Sequence, residues 1–311
     1  MTSCSWVKDD NEGCPYGFWL KLHYTYNILD VEAAPRHVKD AYVYVYDTAG
    51  NFVKRFYATP ETLTADNYLV RVDGLPEGDY QFVVWSGIGN SQYAVSGDTQ
   101  TIDDFRLSRA GTEAVFAGEL PDLYYGLLPA VHYNDSYVVH DVELVKNTNQ
   151  LACLVVPVTE QEQEELNAND YAMKVVAANG TMDAYNRLVS DTPITYESFA
   201  TSSVSFEDSE YGSLHGLQFN IMTLRLMNDS DARIILEKKS TGEQVFNISF
   251  PECIGMVGSL YTNLGRQLTV QEYLDRQDFY TIVFYLSGDL NQLIQLQVNS
   301  WRLRAINHLK L

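Results

Sequence analysis

The sequence predicts an all-β protein built as two tandem β-sandwich domains. Three observations carry that expectation. The 311 residues include 22 Tyr, and Tyr, Val, Ile, Thr and Phe favour the pleated, half-buried surface of a strand. Short segments of period-two alternation recur along the chain, each closed by Gly, Pro, Asn or Asp, which is the spacing of a sandwich. The same grammar then restarts after a polar break at Asn147-Thr148-Asn149-Gln150, so the domain boundary is expected there, with domains at 14–149 and 150–311.

In chain order, the segment Asp9-Asp10-Asn11-Glu12-Gly13 is acidic and without periodicity. It reads as a solvated, mobile tether covering residues 1–13. After the turn Cys14-Pro15-Tyr16-Gly17, a strand runs from Phe18 to Tyr26. Phe18, Leu20, Leu22, Tyr24 and Tyr26 point one way, and Trp19, Lys21, His23 and Thr25 the other. Residues 27–39 form a loop containing Pro35-Arg36. Ala41 to Tyr46 alternates small aliphatics with tyrosines, Asp47-Thr48-Ala49-Gly50-Asn51 turns the chain, and Phe52 to Tyr57 returns as the second arm of a hairpin. Tyr68 to Val72 and Gln81 to Trp85 are strands, joined by a sharp reversal in which Pro76 fixes φ and Gly78 permits a positive one. Residues 98–136 are loop-rich with a short helical turn at 120–126, and Ser136 to Lys146 alternates again.

In the second half, Leu151 to Val158, Met173 to Ala177, Gly216 to Met227, Ala232 to Glu237, Val245 to Phe250, Phe279 to Leu286 and Gln295 to Ile306 read as strands. Glu160 to Ala168 is a short acidic helix. Thr269 and Glu272 have capping-box spacing ahead of a helix of about two turns ending at Arg276.

The formal net charge is −20, spread over both halves. A surface of that sign excludes phosphate-backbone binding, so no nucleic-acid partner is expected, and it excludes polybasic adhesion to anionic lipid. No apolar run reaches the length of a membrane helix. Cysteines stand at 4, 14, 153 and 253 without zinc spacing. Cys153 and Cys253 sit in apolar patterns and read as buried. Cys4 and Cys14 look exposed, and a disulfide between them is not deducible.

Candidate chemistry is sparse. His23, His37, His132, His140, His215 and His308 show no paired spacing, so neither a metal nor a cofactor is expected. Asp9, Asp10 and Glu12 lack the spacing of a calcium loop. Asp103-Asp104 is one half of a glycosidase carboxylate pair at most, and a loop carboxylate by default. Gly87-Ile88-Gly89-Asn90 has the wrong spacing for a phosphate loop. With no catalytic constellation, an enzyme is not expected.

Several segments, taken together and in order, resemble the fimbrillin-anchor (FimB-type) family of Bacteroidota, the anchoring subunits of type V pili. They are Asp-Asp, Cys-Pro-x-Gly and Tyr-x-Tyr-Asn within 9–27, Leu75-Pro76-x-Gly78-x-Tyr80-x-Phe82-Val83-x-Trp85, and Val142 to Asn149. Ala178-Asn179-Gly180, Thr223 to Met227 and the strand containing Trp301 extend the likeness over most of the chain. The resemblance implies two transthyretin-like Greek-key sandwiches in a structural lipoprotein that anchors or caps a fimbria at the outer membrane, on the cell surface. The lipid-bearing cysteine maps onto Cys4, and Thr2-Ser3 before it fit the end of a lipoprotein cleavage site; the apolar stretch the family has before that cysteine is absent, so either the start is truncated or Cys4 is an ordinary residue, and an in-frame signal peptide ending just before Cys4 would settle the anchoring. The partner it implies is a pilus shaft subunit. In such pili a shaft subunit loses its first strand by cleavage at a basic residue, which here maps to Arg36. An anchor keeps that strand, so Arg36 is expected to be protected and Phe18 to Tyr26 to stay in its own sheet. The partner contact then falls to the C-terminal strand, with Trp301, Leu303, Ile306, Leu309 and Leu311. The rival reading is a surface glycan-binding lipoprotein, which needs Trp19, Trp85 and Trp301 in an exposed row.

Overall fold

A computed structural model describes residues 17–134, 136–190, 192–258, 262, 263, 265–288 and 290–303. It is all-β, as expected. Four large sheets face one another in pairs. The opening sheet has three strands in the order Val138–Glu143, Phe18–His23, Leu69–Val72. It packs on a middle sheet of five, ordered Val145–Lys146, Tyr124–Tyr133, Gly78–Ser86, Ala41–Asp47, Phe52–Ala58. In the second half a long sheet of six runs Ala200–Asp208, Gly212–Leu224, Thr148–Pro157, Phe279–Ser287, Gln292–Val298, Trp301–Leu303. It faces a far sheet of five, ordered Gln244–Ser249, Arg233–Lys238, Tyr171–Ala177, Ile194–Glu197, Val115–Phe116.

The alternation read from the sequence explains how these layers stack. Along Ala41–Asp47, Ala41, Val43 and Val45 enter the core between the opening and middle sheets. Tyr44 and Tyr46, on the other face, are also buried, in the core shared with the second half. Phe82 and Val84 likewise face inward while Val83 and Trp85 face the second half. The middle sheet is therefore covered on both sides, and its strands carry apolar side chains on both faces for that reason.

The cover over its second face comes from residues that the sequence reading left as loop. Segment 87–123 contains the strands Tyr93–Ser96, Arg106–Arg109 and Val115–Phe116. Arg106–Arg109 pairs with Thr181–Asp183, and Val115–Phe116 pairs with Ile194–Glu197. First-half chain thus completes sheets of the second half.

Other expectations are corrected. The opening strand ends at His23, because carboxylates replace the ladder beyond it: Glu32 accepts the N–H of Tyr24 at 3.1 Å, and Glu143 accepts those of Thr25 and Tyr26 at 2.7 and 2.8 Å. Loop 27–39 contains a helical turn, Ala34–His37, with Pro35 in its first turn where a missing N–H costs nothing. The helical turn expected at 120–126 is instead the entry to Tyr124–Tyr133, where Tyr124 fills one core and Tyr125 the other. The polar run 147–149 is buried, and Thr148 and Asn149 already belong to the strand Thr148–Pro157; Asn147 trades two amide hydrogen bonds with Asn186, at 2.7 and 3.1 Å. The helix Phe250–Gly258 and the strands Ile194–Glu197 and Ala200–Asp208 had no counterpart in the sequence reading. Gln295 to Ile306 is not one strand. Asn299, at φ 52°, reverses the chain between Gln292–Val298 and Trp301–Leu303, and its side chain and N–H bind the backbone of Thr281.

The Leu75-Pro76-x-Gly78-x-Tyr80 motif is a hydrogen-bonded corner. Leu75 is buried, and the Tyr80 hydroxyl donates to the Pro76 carbonyl at 3.0 Å, fixing the angle at which the chain enters Gly78–Ser86. Thr269 caps the helix Val270–Arg276 as expected, accepting the Glu272 N–H at 3.1 Å. The Glu272 carboxylate is engaged by Arg266 and Arg276.

Candidate functional site

The opening strand is the centre of its sheet. It pairs in parallel with Val138–Glu143 on one side and antiparallel with Leu69–Val72 on the other. Phe18, Leu20 and Leu22 are 0% exposed. Its exit is clasped as well. His23 lies between Glu32 at 2.7 Å and Asp141 at 3.0 Å. The Arg276 guanidinium, from the second half, donates to the Asn27 carbonyl at 3.1 Å and to Asp30 at 3.0 Å, and stacks over the Tyr26 ring at 4.1 Å. A load applied at the N-terminus would meet a strand bonded on both edges, with an apolar row that has to enter water if the strand leaves.

Burial acts to lower the His23 pKa, but the hydrogen bonds to Glu32 and Asp141 outweigh it, and the imidazole is raised above 6.5. A group raised on folding stabilises fully below its unfolded value, and the contribution fades as pH climbs through the folded value. The stability difference between the wild type and His23→Gln should therefore be larger at about pH 5.5 than at about pH 8.5. Thermal melts of both proteins at the two pH values check this; a difference that grows with pH would contradict it.

Arg36 is exposed on the turn Ala34–His37. The residues around it are held: Ala34 and Val38 are each 1% exposed, and the Val38 N–H donates to the Ala34 carbonyl at 2.9 Å. Nearby, Gly87 has φ +89°, and a Cβ there would stand 2.0 Å from the Asp122 carbonyl oxygen. That glycine serves a close backbone approach, with its N–H donating to Asp40 at 2.6 Å, and not a phosphate loop.

At the other end of the chain, Trp301 is 38% exposed on the edge strand of the long sheet, and Leu303 pairs in register with Leu296. Cys4, Cys14, Asp9, Asp10, Glu12, Ile306, His308, Leu309 and Leu311 lie outside the described residues, as does the expected tether 1–13.

The remaining candidates have structural work. Asp104 closes a capping box with Thr101, and Asp103 stands beside it in the same short turn, Ile102–Asp104. His132 contacts Asp79 and Glu77, His140 packs on the Phe18 ring at 4.7 Å, and His215 meets Gln163. Among the described residues no three His, Cys, Asp or Glu side chains gather to hold a metal. Burial raises the Cys153 thiol well above its ordinary range and Cys253 to about 12, so both behave as buried apolar groups, as expected. A cleft of about 880 Å³ is lined in part by Tyr185, Arg187, Arg225 and Arg233. Its arginines are turned to partners within the fold: Arg225 to Asp275, Arg187 to Asp183 and Arg233 to Asn247. Among the described residues no helix is long and apolar enough to cross a membrane.

Trp19, Trp85 and Trp301, the tryptophans among the described residues, stand on three different sheets. Trp85 is fully buried in the middle sheet, Trp19 lies half-buried under the Arg71 guanidinium in the opening sheet, and Trp301 is on the long sheet. They make no row.

These features define a β-sandwich protein whose opening strand is clasped at its exit, with no assembled metal cluster among the described residues. The model of the fimbrillin-A associated anchor proteins Mfa1 and Mfa2 matches residues 11–307, so the chain belongs to that family. Among curated proteins, none matches it. Among solved structures it is similar to a proposed polysaccharide-binding protein from Bacteroides thetaiotaomicron, with 26% identity, 93% of this chain and 97% of that one covered, and a TM-score of 0.79. A proposed adhesin from the same organism is 25% identical, with 94% and 98% covered and a TM-score of 0.81. The fimbrial anchor protein Mfa2 from Porphyromonas gingivalis, 16% identical over 94% of this chain and all of that one, shares the fold at a TM-score of 0.69. The chain is thus a fimbria-associated protein of an anchor family.

Proposed function

We propose that this protein is the anchor, or cap, of a fimbria: an outer-membrane lipoprotein tethered through Cys4 that holds a shaft subunit at the cell surface. Residues 1–13 act as the tether, 14–149 and 150–311 are the two sandwich domains, and the shaft contact uses the C-terminal segment with Trp301, Leu303, Ile306, Leu309 and Leu311. The observation that carries this reading is the central place of Phe18–His23, paired on both edges and clasped at its exit by Arg276. A strand so placed suits a chain that is pulled from its N-terminus. It does not suit one that must be shed to open a groove. The helical turn around Arg36 supports the same reading, because a protease needs an extended substrate and here the turn is pinned at its two ends by the buried Ala34 and Val38. The glycan-binding alternative loses its platform with the scattered tryptophans.

The test is mass spectrometry of fimbriae purified from the native organism. The protein is expected to co-purify with an N-terminus at Cys4 and an intact Arg36–His37 bond. A mature N-terminus at His37 would overturn the anchor reading and make this a shaft or tip subunit.

A further inference from the structure

The hairpin formed by Ala200–Asp208 and Gly212–Leu224 does more than extend the long sheet. Its strands pair along their whole length, yet Gly212–Leu224 joins Thr148–Pro157 only from Leu217 onward. The tip runs on beyond that ladder. Gly216 serves a close backbone approach where the ladder ends: a Cβ there would come within 2.5 Å of the Val155 carbonyl oxygen. The tip lies over the outer face of the long sheet, where Leu214, 1% exposed, packs with Ala152, Leu154, Val156, Val283 and Tyr285. Tyr211 stacks on Tyr285 at 5.6 Å and donates its hydroxyl to Gln295 at 2.9 Å. The tip ends at Asp208, whose side chain is 3% exposed.

Asp208 meets the opposite edge of the sheet. Its carboxylate accepts both terminal nitrogens of Arg302, the Tyr285 hydroxyl at 2.9 Å, and the N–H groups of Glu210 and Tyr211 at 2.8 and 3.1 Å. Arg302 also reaches Glu210 at 3.2 Å and lies over the Tyr285 ring at 5.2 Å. The first and last strands of a six-stranded sheet are thus tied across its outer face. Burial works to raise the Asp208 pKa, but the Arg302 and Tyr285 hydrogen bonds and the two backbone donors bring it down to about 2, so the tie is ionised at any physiological pH. The Asp208 clasp adds charge-assisted hydrogen bonds to those of the ladder that holds Trp301–Leu303.

We infer that the C-terminal strand Trp301–Leu303 serves its fimbrial partner in place: the Asp208–Arg302 clasp keeps it in its own sheet, and the partner adds to the edge that no strand among the described residues pairs, without drawing the strand out. This rests on the proposed use of the C-terminal segment as the shaft contact. Edge addition of this kind takes main-chain hydrogen bonds from the exposed side of the strand, where Trp301 is partly exposed.

Two measurements test it. Hydrogen exchange of the full chain reads the clasp alone. Asp208→Asn should speed exchange in 292–303 by about tenfold while Gly78–Ser86 stays unchanged. If that variant loosens the whole fold, Tyr285→Phe, which removes only the hydroxyl bonded to Asp208 and Arg302, should still speed 292–303 selectively. Unchanged exchange there overturns the clasp. In fimbriated cells, a photo-reactive phenylalanine analogue at Trp301 should form an adduct with a fimbrial subunit, and Asp208→Asn should weaken it. A stronger adduct in Asp208→Asn means the strand must leave its sheet to bind, and overturns the in-place reading. No adduct in either protein overturns the C-terminal contact itself, and the exchange result then reports on the clasp independently.

Discussion

Replacing Trp85 with alanine will lower the unfolding free energy by about 3–5 kcal/mol, the range for deleting a large buried aromatic. The indole is 0% exposed, stacked parallel to Phe105 at 6.2 Å and tilted against Tyr125 at 5.0 Å. Phe105 in turn meets Tyr44 edge-on at 5.2 Å, and the Tyr125 hydroxyl donates to the Ala184 carbonyl at 3.0 Å. The hole would open where the middle sheet, segment 87–123 and the second half meet. Among the described residues the indole N–H finds no partner. Trp85→Phe keeps the stacking and removes that buried donor, so it should cost much less than the alanine variant. Denaturant unfolding of the three proteins checks this, and both substitutions costing the same would contradict it. Because the core containing Trp85 also contains Leu151, Phe219 and Phe284, the loss should appear in one transition and not only in a first-half phase.

Asp275→Ala is expected to cost a similar amount, about 3–5 kcal/mol, by leaving a buried guanidinium without its counter-charge. Asp275 and Arg225 form two hydrogen bonds of 2.9 Å, with side chains 9% and 13% exposed. Arg225 also donates to the Asn186 carbonyl at 2.6 Å, and Asn186 is the partner of Asn147 where the chain passes from the middle sheet to the long one. An unpaired Arg225 would disturb that crossing. Removing both charges together, as Arg225→Met with Asp275→Leu, should recover most of the loss, since an apolar pair carries no desolvation penalty. A double-mutant cycle measures the coupling. A double variant as unstable as Asp275→Ala would show that shape, not charge pairing, sets the cost.

Much of the fold was legible because local patterning decides it. The alternation Phe18, Leu20, Leu22 matches a fully buried row, and the Ala41 to Tyr57 hairpin forms with a single irregularity. The Leu75–Tyr80 motif pointed to a sharp corner, and Thr269 to a helix start. What was missed depends on partners far along the chain. Nothing near Arg106 or Val115 announces that they will pair with Thr181–Asp183 and Ile194–Glu197. Ala200–Asp208 is a Ser- and Thr-rich edge strand, exposed over much of its length, so it lacks the apolar row that marks a buried strand. Asn147, Thr148 and Asn149 looked like a surface break, but an asparagine whose amide is satisfied by another asparagine can be buried. The tie between Asp208 and Arg302 spans 94 positions and has no local signal. Of the candidate contact residues, Trp301 carried a legible cue as an aromatic near the end of the chain; the turn at Asn299 that puts it on an edge strand was readable only as an Asn-Ser pair.

On the proposed function the protein holds fimbriae to the cell through lipid on Cys4. The most direct measurement is the partition of fimbriae between cells and medium in the native organism, with Cys4→Ala replacing the wild-type gene. Because Cys4 precedes the opening strand, the substitution should leave the fold intact. Both the protein and the fimbriae are expected to leave the membrane fraction and appear in the medium. Fimbriae that remain cell-bound, with the variant protein still in the membrane fraction, would contradict it.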